Sequence, residues 1–232
     1  MCYYEALAGK LDSLYTQLSH VLATSRATID KRRREATHTL IVRNCDTNAM
    51  TLQFHHHKIL PFDFQSSCDA IWKCLRDEAV SGSERGDEVV LPREDNLILM
   101  KKTILVESPD GRGHPEIKLP VRVITKRFVS KDRMVLCWEG TTTWPRSVVQ
   151  APDDLQICEN SWLVVRPMPS SGSTRMCFTQ LCSHMSPSGA VVAFPEQGTK
   201  LISTVIPRYQ QVIDGYHQSV ENSLLEKQIT VR

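Results

Sequence analysis

The side chains with the widest chemical scope in this 232-residue chain are three adjacent histidines, eight cysteines and a few polar groups set among apolar runs. His55, His56 and His57 fall in Met50 to Leu60, which reads as a strand. Alternation sends His55 and His57 to one face and His56 to the other, and no nearby carboxylate or cysteine has ligand spacing. The triplet is therefore not expected to hold a metal. The cysteines (Cys2, Cys45, Cys68, Cys74, Cys137, Cys158, Cys177, Cys182) form no CxxC pair and read as reduced, partly buried thiols. No GxSxG, Walker, GxGxxG or HExxH pattern is present, and nothing in the order of Cys, His and Asp selects a triad. The expectation is a non-enzyme without a cofactor.

Arg166, Gln180 and His184 suggest a different chemistry. Arg166 shares a strand face with Trp162 and Val164, and Gln180 and His184 follow Met176 and Phe178 in steps of two or four. Met134, Leu136 and Trp138 alternate in the same manner along a neighbouring run. Polar groups on an apolar face need partners. The head group of a mostly apolar ligand is one candidate, and each other is the alternative.

These residues need a surface to face. The last long helix, Thr199 to about Glu226, supplies it, with Val205, Tyr209, Val212, Ile213, Tyr216, Val220 and Leu224 on one stripe. Pro207 either kinks this helix or begins a second segment. Strand-like runs precede it: Thr37 to Arg43, Met50 to Leu60, Asn96 to Glu107, Glu116 to Val129, Arg133 to Trp144, Ser161 to Met168 and Thr174 to Met185. Asp46-Thr47-Asn48, Pro109-Asp110-Gly111 and Lys131-Asp132 provide turn chemistry, and short links imply antiparallel neighbours. Ser66 or Ser67 can cap a helix from Cys68 to Ala79, followed by a mobile loop from Val80 to Asp87. The fold class is α+β, with an antiparallel sheet, a C-terminal helix and an N-terminal helix.

The N-terminal helix, Tyr3 to about Asp30, carries Leu7, Leu11, Leu14, Leu18 and Val21 at alternating steps of four and three. That stripe either packs on its own domain or joins two chains. Lys31-Arg32-Arg33-Arg34 follows and reads first as a solvated helix end. The reversed order, heptads before basic run, excludes a basic zipper.

Hydrophobic content of 41% and a net charge of +2 suit an ordinary globular protein and give no case for nucleic acid. No run is long and apolar enough for a membrane span, and the first ten residues do not form an export signal. The expected location is cytoplasmic, with the nucleus as the alternative.

The chain resembles the START-like, helix-grip proteins, in particular the oomycete group described as a mating-specific protein family. The resemblance lies in the element order and in three runs, Asp132 to Glu139, Asn160 to Pro167 and Ile206 to Val212. It implies a curved antiparallel sheet gripping the C-terminal helix around a tunnel for a lipid or sterol. On that basis residues 1–35 form a helix with a basic run and residues 36–228 the helix-grip domain. The expected function is non-catalytic binding of a hydrophobic small molecule. Its site is expected to comprise Trp138, Trp162, Val164, Arg166, Met176, Phe178, Gln180, His184, Tyr209, Val212, Ile213 and Tyr216, with access at Pro187 to Gly198. Expected partners are that molecule, a membrane touched transiently, and a second copy through residues 3–30. The competing reading is a regulatory protein with a filled core that dimerises through its first helix. A third is an enzyme using the same cavity through His184 or Glu139.

Overall fold

The structure is a computed structural model, described here for residues 2–25, 33–43, 50–84, 88–90, 95–106, 117–146, 154–169, 175–187 and 195–230. In chain order the elements are α1 (Cys2–Ser25), β1 (Glu35–Arg43), β2 (Met50–Leu60), α2 (Phe64–Glu84), β3 (Glu88–Val90) and β4 (Leu97–Val106). They continue with β5 (Ile117–Val129), β6 (Met134–Trp144), β7 (Leu155–Pro167), β8 (Cys177–Pro187) and α3 (Pro195–Thr230). All eight strands join one curved antiparallel sheet in the order β1-β2-β8-β7-β6-β5-β4-β3. Helices α2 and α3 cover one face, called inner below, and α1 covers the outer face.

Several element boundaries differ from the sequence expectation for local reasons. The cap of α2 is Asp63, whose Oδ1 accepts the Ser66 N–H at 2.9 Å, so the helix begins before Ser66 and Ser67. It runs on to Glu84, through the first half of the stretch expected to be a loop; a helical glycine such as Gly82 costs only about 1 kcal/mol and does not end a helix whose earlier turns are anchored. β7 begins at Leu155, because Leu155 and Ile157 extend its buried inner row. β3 was not expected. Helix α3 continues through Pro207 as one element. At Lys131-Asp132 the chain turns between β5 and β6, with the Ser130 N–H bonded to the Arg133 carbonyl at 2.8 Å. Asp46-Thr47-Asn48, Pro109-Asp110-Gly111 and most of the proposed access segment lie outside the described residues.

Helix α1 spends its heptad stripe on its own sheet. Leu11, Leu14, Leu18 and Val21 are between 0% and 6% exposed, packed on Ile124, Val135, Cys137, Trp162 and Val164. Trp162 Nε1 donates to the Leu14 carbonyl at 2.8 Å, and Gln180 Nε2 donates to Ser25 Oγ at 2.9 Å, so both halves of the helix are tied down. Lys126–Asp12 at 2.7 Å and Lys10–Glu139 at 3.3 Å rim the contact. Self-association through this stripe is accordingly corrected: in the folded chain its apolar side chains from Leu11 onward are already covered. Arg33 and Arg34 sit at the start of β1 rather than at a helix end, with exposed side chains and carbonyls bonded to β2.

The six cysteines whose thiols are described are free, and Cys68, Cys137, Cys177 and Cys182 are buried. Burial pushes the Cys68 and Cys137 thiols up to about 12, so they behave as small apolar groups.

Candidate functional site

Strand register decides which side chains meet. Trp138 pairs with Ser161 and Cys137 with Trp162, so Trp162 shares a face with Cys137 and the α1 stripe. The inner row of β6 is Met134, Leu136, Trp138, Gly140, Thr142 and Trp144. Opposite it on β7 stand Leu155, Ile157, Glu159, Ser161, Leu163 and Val165. A shift of one residue in phase turns a strand over, and this shift separates the expected site into two groups.

Trp138, Tyr209, Ile213 and Tyr216 do lie between the sheet and α3. Trp162, Val164, Arg166, Phe178, Gln180 and His184 lie on the outer face, so the expectation that they line the same space is corrected. There Arg166 Nη2 donates to Gln180 Oε1 at 3.3 Å and its guanidinium lies 5.0 Å from the Phe178 ring, while His184 meets Trp162 edge-on at 5.3 Å. Arg166 and Gln180 partner each other, the alternative left open in the sequence. Met176 is half-buried ahead of β8, its carbonyl accepting the Met168 N–H. Val212 is 47% exposed on the flank of the α3 stripe and does not line the interior. Glu139 is also on the outer face, beside Lys10.

Both sheet faces combine fully buried and partly buried side chains, Phe54, Leu60, Met134 and Val165 being inaccessible on the inner face and Tyr15, Leu22, Leu99 and Phe128 partly buried on the outer one. Under α1, Leu11, Val135, Cys137 and Trp162 are essentially inaccessible. On the inner face Met100, Ile104, Trp138, Tyr209, Ile213 and Tyr216 are only partly buried, although β4 and β6 are interior strands beneath a helical layer. The backbone of α3 runs closest to α2 and β2 rather than to β4, β5 or β6. Tyr216 O–H donates to the Ile71 carbonyl of α2 at 2.6 Å and fixes that edge. Toward its start the helix also meets the other half of the sheet, Val205 being buried with Leu119, Trp144, Leu155 and Ile157, so the half-buried residues lie between these two contacts.

A polar cluster missed in the sequence sits on this face. Glu159 Oε1 accepts from Trp138 Nε1 at 2.7 Å, Ser161 Oγ at 2.6 Å and Tyr209 O–H at 2.6 Å. Burial, then the Glu159 charge, holds the Tyr209 pKa well above that of a free phenol, so the hydroxyl keeps its proton and donates it to the carboxylate. Ser183 Oγ, 2.6 Å from the same hydroxyl, must then be the donor to it. The signal was present: Glu159 interrupts the alternate apolar row of β7, but a strand begun at Ser161 excludes it.

Gly140 is the register partner of Glu159. A Cβ placed there would have as its three nearest atoms Arg122 O at 3.5 Å, Val123 Cγ2 at 3.5 Å and Glu159 Cβ at 3.9 Å, all ordinary contacts with the sheet. Its missing side chain leaves the inner face low beside the carboxylate.

A second polar group closes α3 onto β2. Lys58 bridges Glu221 of α3 at 2.8 Å and Glu35 of β1 at 3.5 Å. Burial opposes the Lys58 charge, but Glu221 and then Glu35 outweigh it and raise its pKa. His56 stacks on His217 at 4.8 Å between centroids and bonds Thr37 Oγ1 through Nδ1 at 3.0 Å. Burial, then His56 and Lys58, pushes His217 down to about 3, leaving it neutral. His55 and His57 point outward and His56 inward, as alternation requires, and no group of side chains suited to a metal occurs among the described residues. No described helix is long and apolar enough to cross a membrane.

No protein-family model matches the chain, and no curated protein sequence matches it. Solved structures do resemble it in fold. Human StAR-related lipid transfer protein 5 aligns at 12% identity and a TM-score of 0.45 over 97% of this chain and 99% of that one. Human STARD10 aligns at 9% identity and 0.43, over 85% of this chain and 72% of that one. Norcoclaurine synthase from Thalictrum flavum aligns at 12% identity and 0.35, over 82% and 99%. The architecture itself is a curved antiparallel sheet with a long C-terminal helix on its inner face.

Proposed function

We propose that the protein binds a hydrophobic small molecule, of the lipid or sterol class, between the inner face of the sheet and α3, without transforming it. The observation that carries this reading is the Glu159 cluster, a polar group set on the inner face among half-buried apolar side chains. Trp138, Met100, Tyr209 and Ile213 are half-buried beside that carboxylate, between the α3 contacts with α2 at one end and with Trp144 and Ile157 at the other. Apolar surface held in that condition gains about 25 cal/mol per Å² when a ligand covers it, less the cost of association. The site then consists of Trp138, Tyr209, Ile213 and Tyr216 from the expected set, joined by Met100, Gly140 and Glu159. Arg166, Gln180 and His184 serve the α1 contact instead. Affiliation with the oomycete mating-specific group rests on the three sequence runs quoted above and remains part of this proposal.

The test is titration with N-phenyl-1-naphthylamine, whose emission rises in an apolar site. Saturable binding at one probe per chain, lost in Ile213→Trp with an unchanged melting temperature, supports the reading. An absence of saturable uptake by the native protein contradicts it.

A further inference from the structure

Resting on that reading, the geometry points to a ligand with a hydrogen-bond donor at its polar end, a hydroxyl or a protonated amine, which Glu159 receives on the floor of the inner face. Three donors already converge on Oε1 from Trp138, Ser161 and Tyr209, and they fix the carboxyl plane and its position. None of them uses Oε2, and the described residues give that oxygen no hydrogen bond. Among the described residues no lysine or arginine forms an ion pair with Glu159; of the inner-face strand cations, Lys58 is engaged by Glu221 with Glu35, Lys102 by Glu78, and Arg127 lies over the Trp72 ring. Glu159 is only partly buried, so its second oxygen, beside Trp138, Tyr209 and Met185, keeps lone pairs that a donor can reach. Water can meet them in the empty protein, and a donor head group can meet them in the occupied one.

Gly140 lies across the sheet from the carboxylate. It is the register neighbour of Glu159, and a Cβ there would rest at ordinary distance on sheet atoms only. Backbone geometry does not demand glycine at this position. Gly140 is buried, so neighbouring side chains already close over the floor beside the carboxylate, while the half-buried Trp138 and Ile213 offer apolar surface for the tail. The same arrangement selects against anions. A fatty acid carboxylate or a phosphate placed beside Glu159 would meet a like charge. The proposed class is therefore neutral or cationic amphiphiles with a donor head, and acceptor-only or anionic heads are disfavoured.

The experiment uses four probes with the same chain: 1-dodecanol, dodecylamine, methyl dodecanoate and dodecanoate, each measured by calorimetric titration below its aggregation concentration. The donor heads should bind about tenfold or more tighter than the ester, the equivalent of one hydrogen bond to a charged group, with dodecanoate weakest. Glu159→Gln should bring dodecylamine and dodecanoate to within about threefold of each other, the carboxylate charge that separates them having been removed. Equal affinity for all four heads, or an unaltered order in Glu159→Gln, overturns the head-group assignment and leaves hydrophobic binding standing. Failure of all four to bind overturns both.

Discussion

The Tyr209 hydroxyl on α3 donates to Glu159 on β7 at 2.6 Å, and through this bond the gripped helix is joined to the middle of the sheet. The same helix packs on α2 and β2 and, through Val205, on Leu119, Trp144, Leu155 and Ile157, so the phenol supplies the polar member of its contacts with the sheet. Ser183 donates to the same oxygen, which makes Tyr209 a relay between β8 and β7 as well.

Replacing Tyr209 by Phe removes the donor to Glu159 and leaves Ser183 without its acceptor. A hydrogen bond to a charged group contributes about 1.5–3 kcal/mol, and the loss should appear as a lower urea midpoint with an unchanged m value. A midpoint equal to that of the native protein would show that water replaces the phenol at no cost.

Helix α1 should behave as an integral layer of the domain. Leu14→Ala removes a buried side chain from the outer cluster and should cost about 2–5 kcal/mol. Sedimentation should find the native chain monomeric at micromolar concentration, since Leu11, Leu14, Leu18 and Val21 are covered by the sheet. A stable dimer broken by Leu14→Ala would return that stripe to an intermolecular role.

Two buried histidines predict an acid limit to stability. Burial, then His184 and His38, pushes His55 from 6.5 down to about 4, and burial, then His56 and Lys58, pushes His217 to about 3. The folded pKa values lie below the unfolded ones, so the unfolded chain takes up protons first. Their contribution is complete above about pH 6.5 and declines as pH falls, both groups acting down to about 4 and His217 alone below that. Each contributes a slope of about 1.4 kcal/mol per pH unit in its window. Urea midpoints measured from pH 7.5 to 4.5 should fall, and His217→Phe, which keeps a ring against His56, should flatten the decline. An identical slope in the variant would remove His217 from the explanation.

Much of the fold could be read from the residues, and the reasons it could not be read further are specific. β2 was legible to the residue because Met50, Leu52, Phe54 and Leu60 alternate with groups facing the other way. The α3 stripe was legible because Tyr209, Ile213, Tyr216 and Val220 recur at helical steps on a surface helix. β7 hid its phase. Trp162, Leu163, Val164 and Val165 are all buried, since α1 covers one side and the inner helices the other, and two-sided burial erases the period of two. Without that period, Trp162 and Arg166 looked like inner residues, and Glu159, preceding the expected start of the strand, was not considered at all. The candidate site therefore came half from sequence, in Trp138 and the α3 residues, and half from register.

The most direct measurement is native mass spectrometry of the purified protein, with organic extraction and identification of anything that dissociates. The account predicts that after exposure to a mixed lipid pool the native chain carries one hydrophobic molecule, and that Ile213→Trp carries none. A clean unliganded mass for the native chain after the same exposure would contradict it and leave the inner face as an imperfectly packed core.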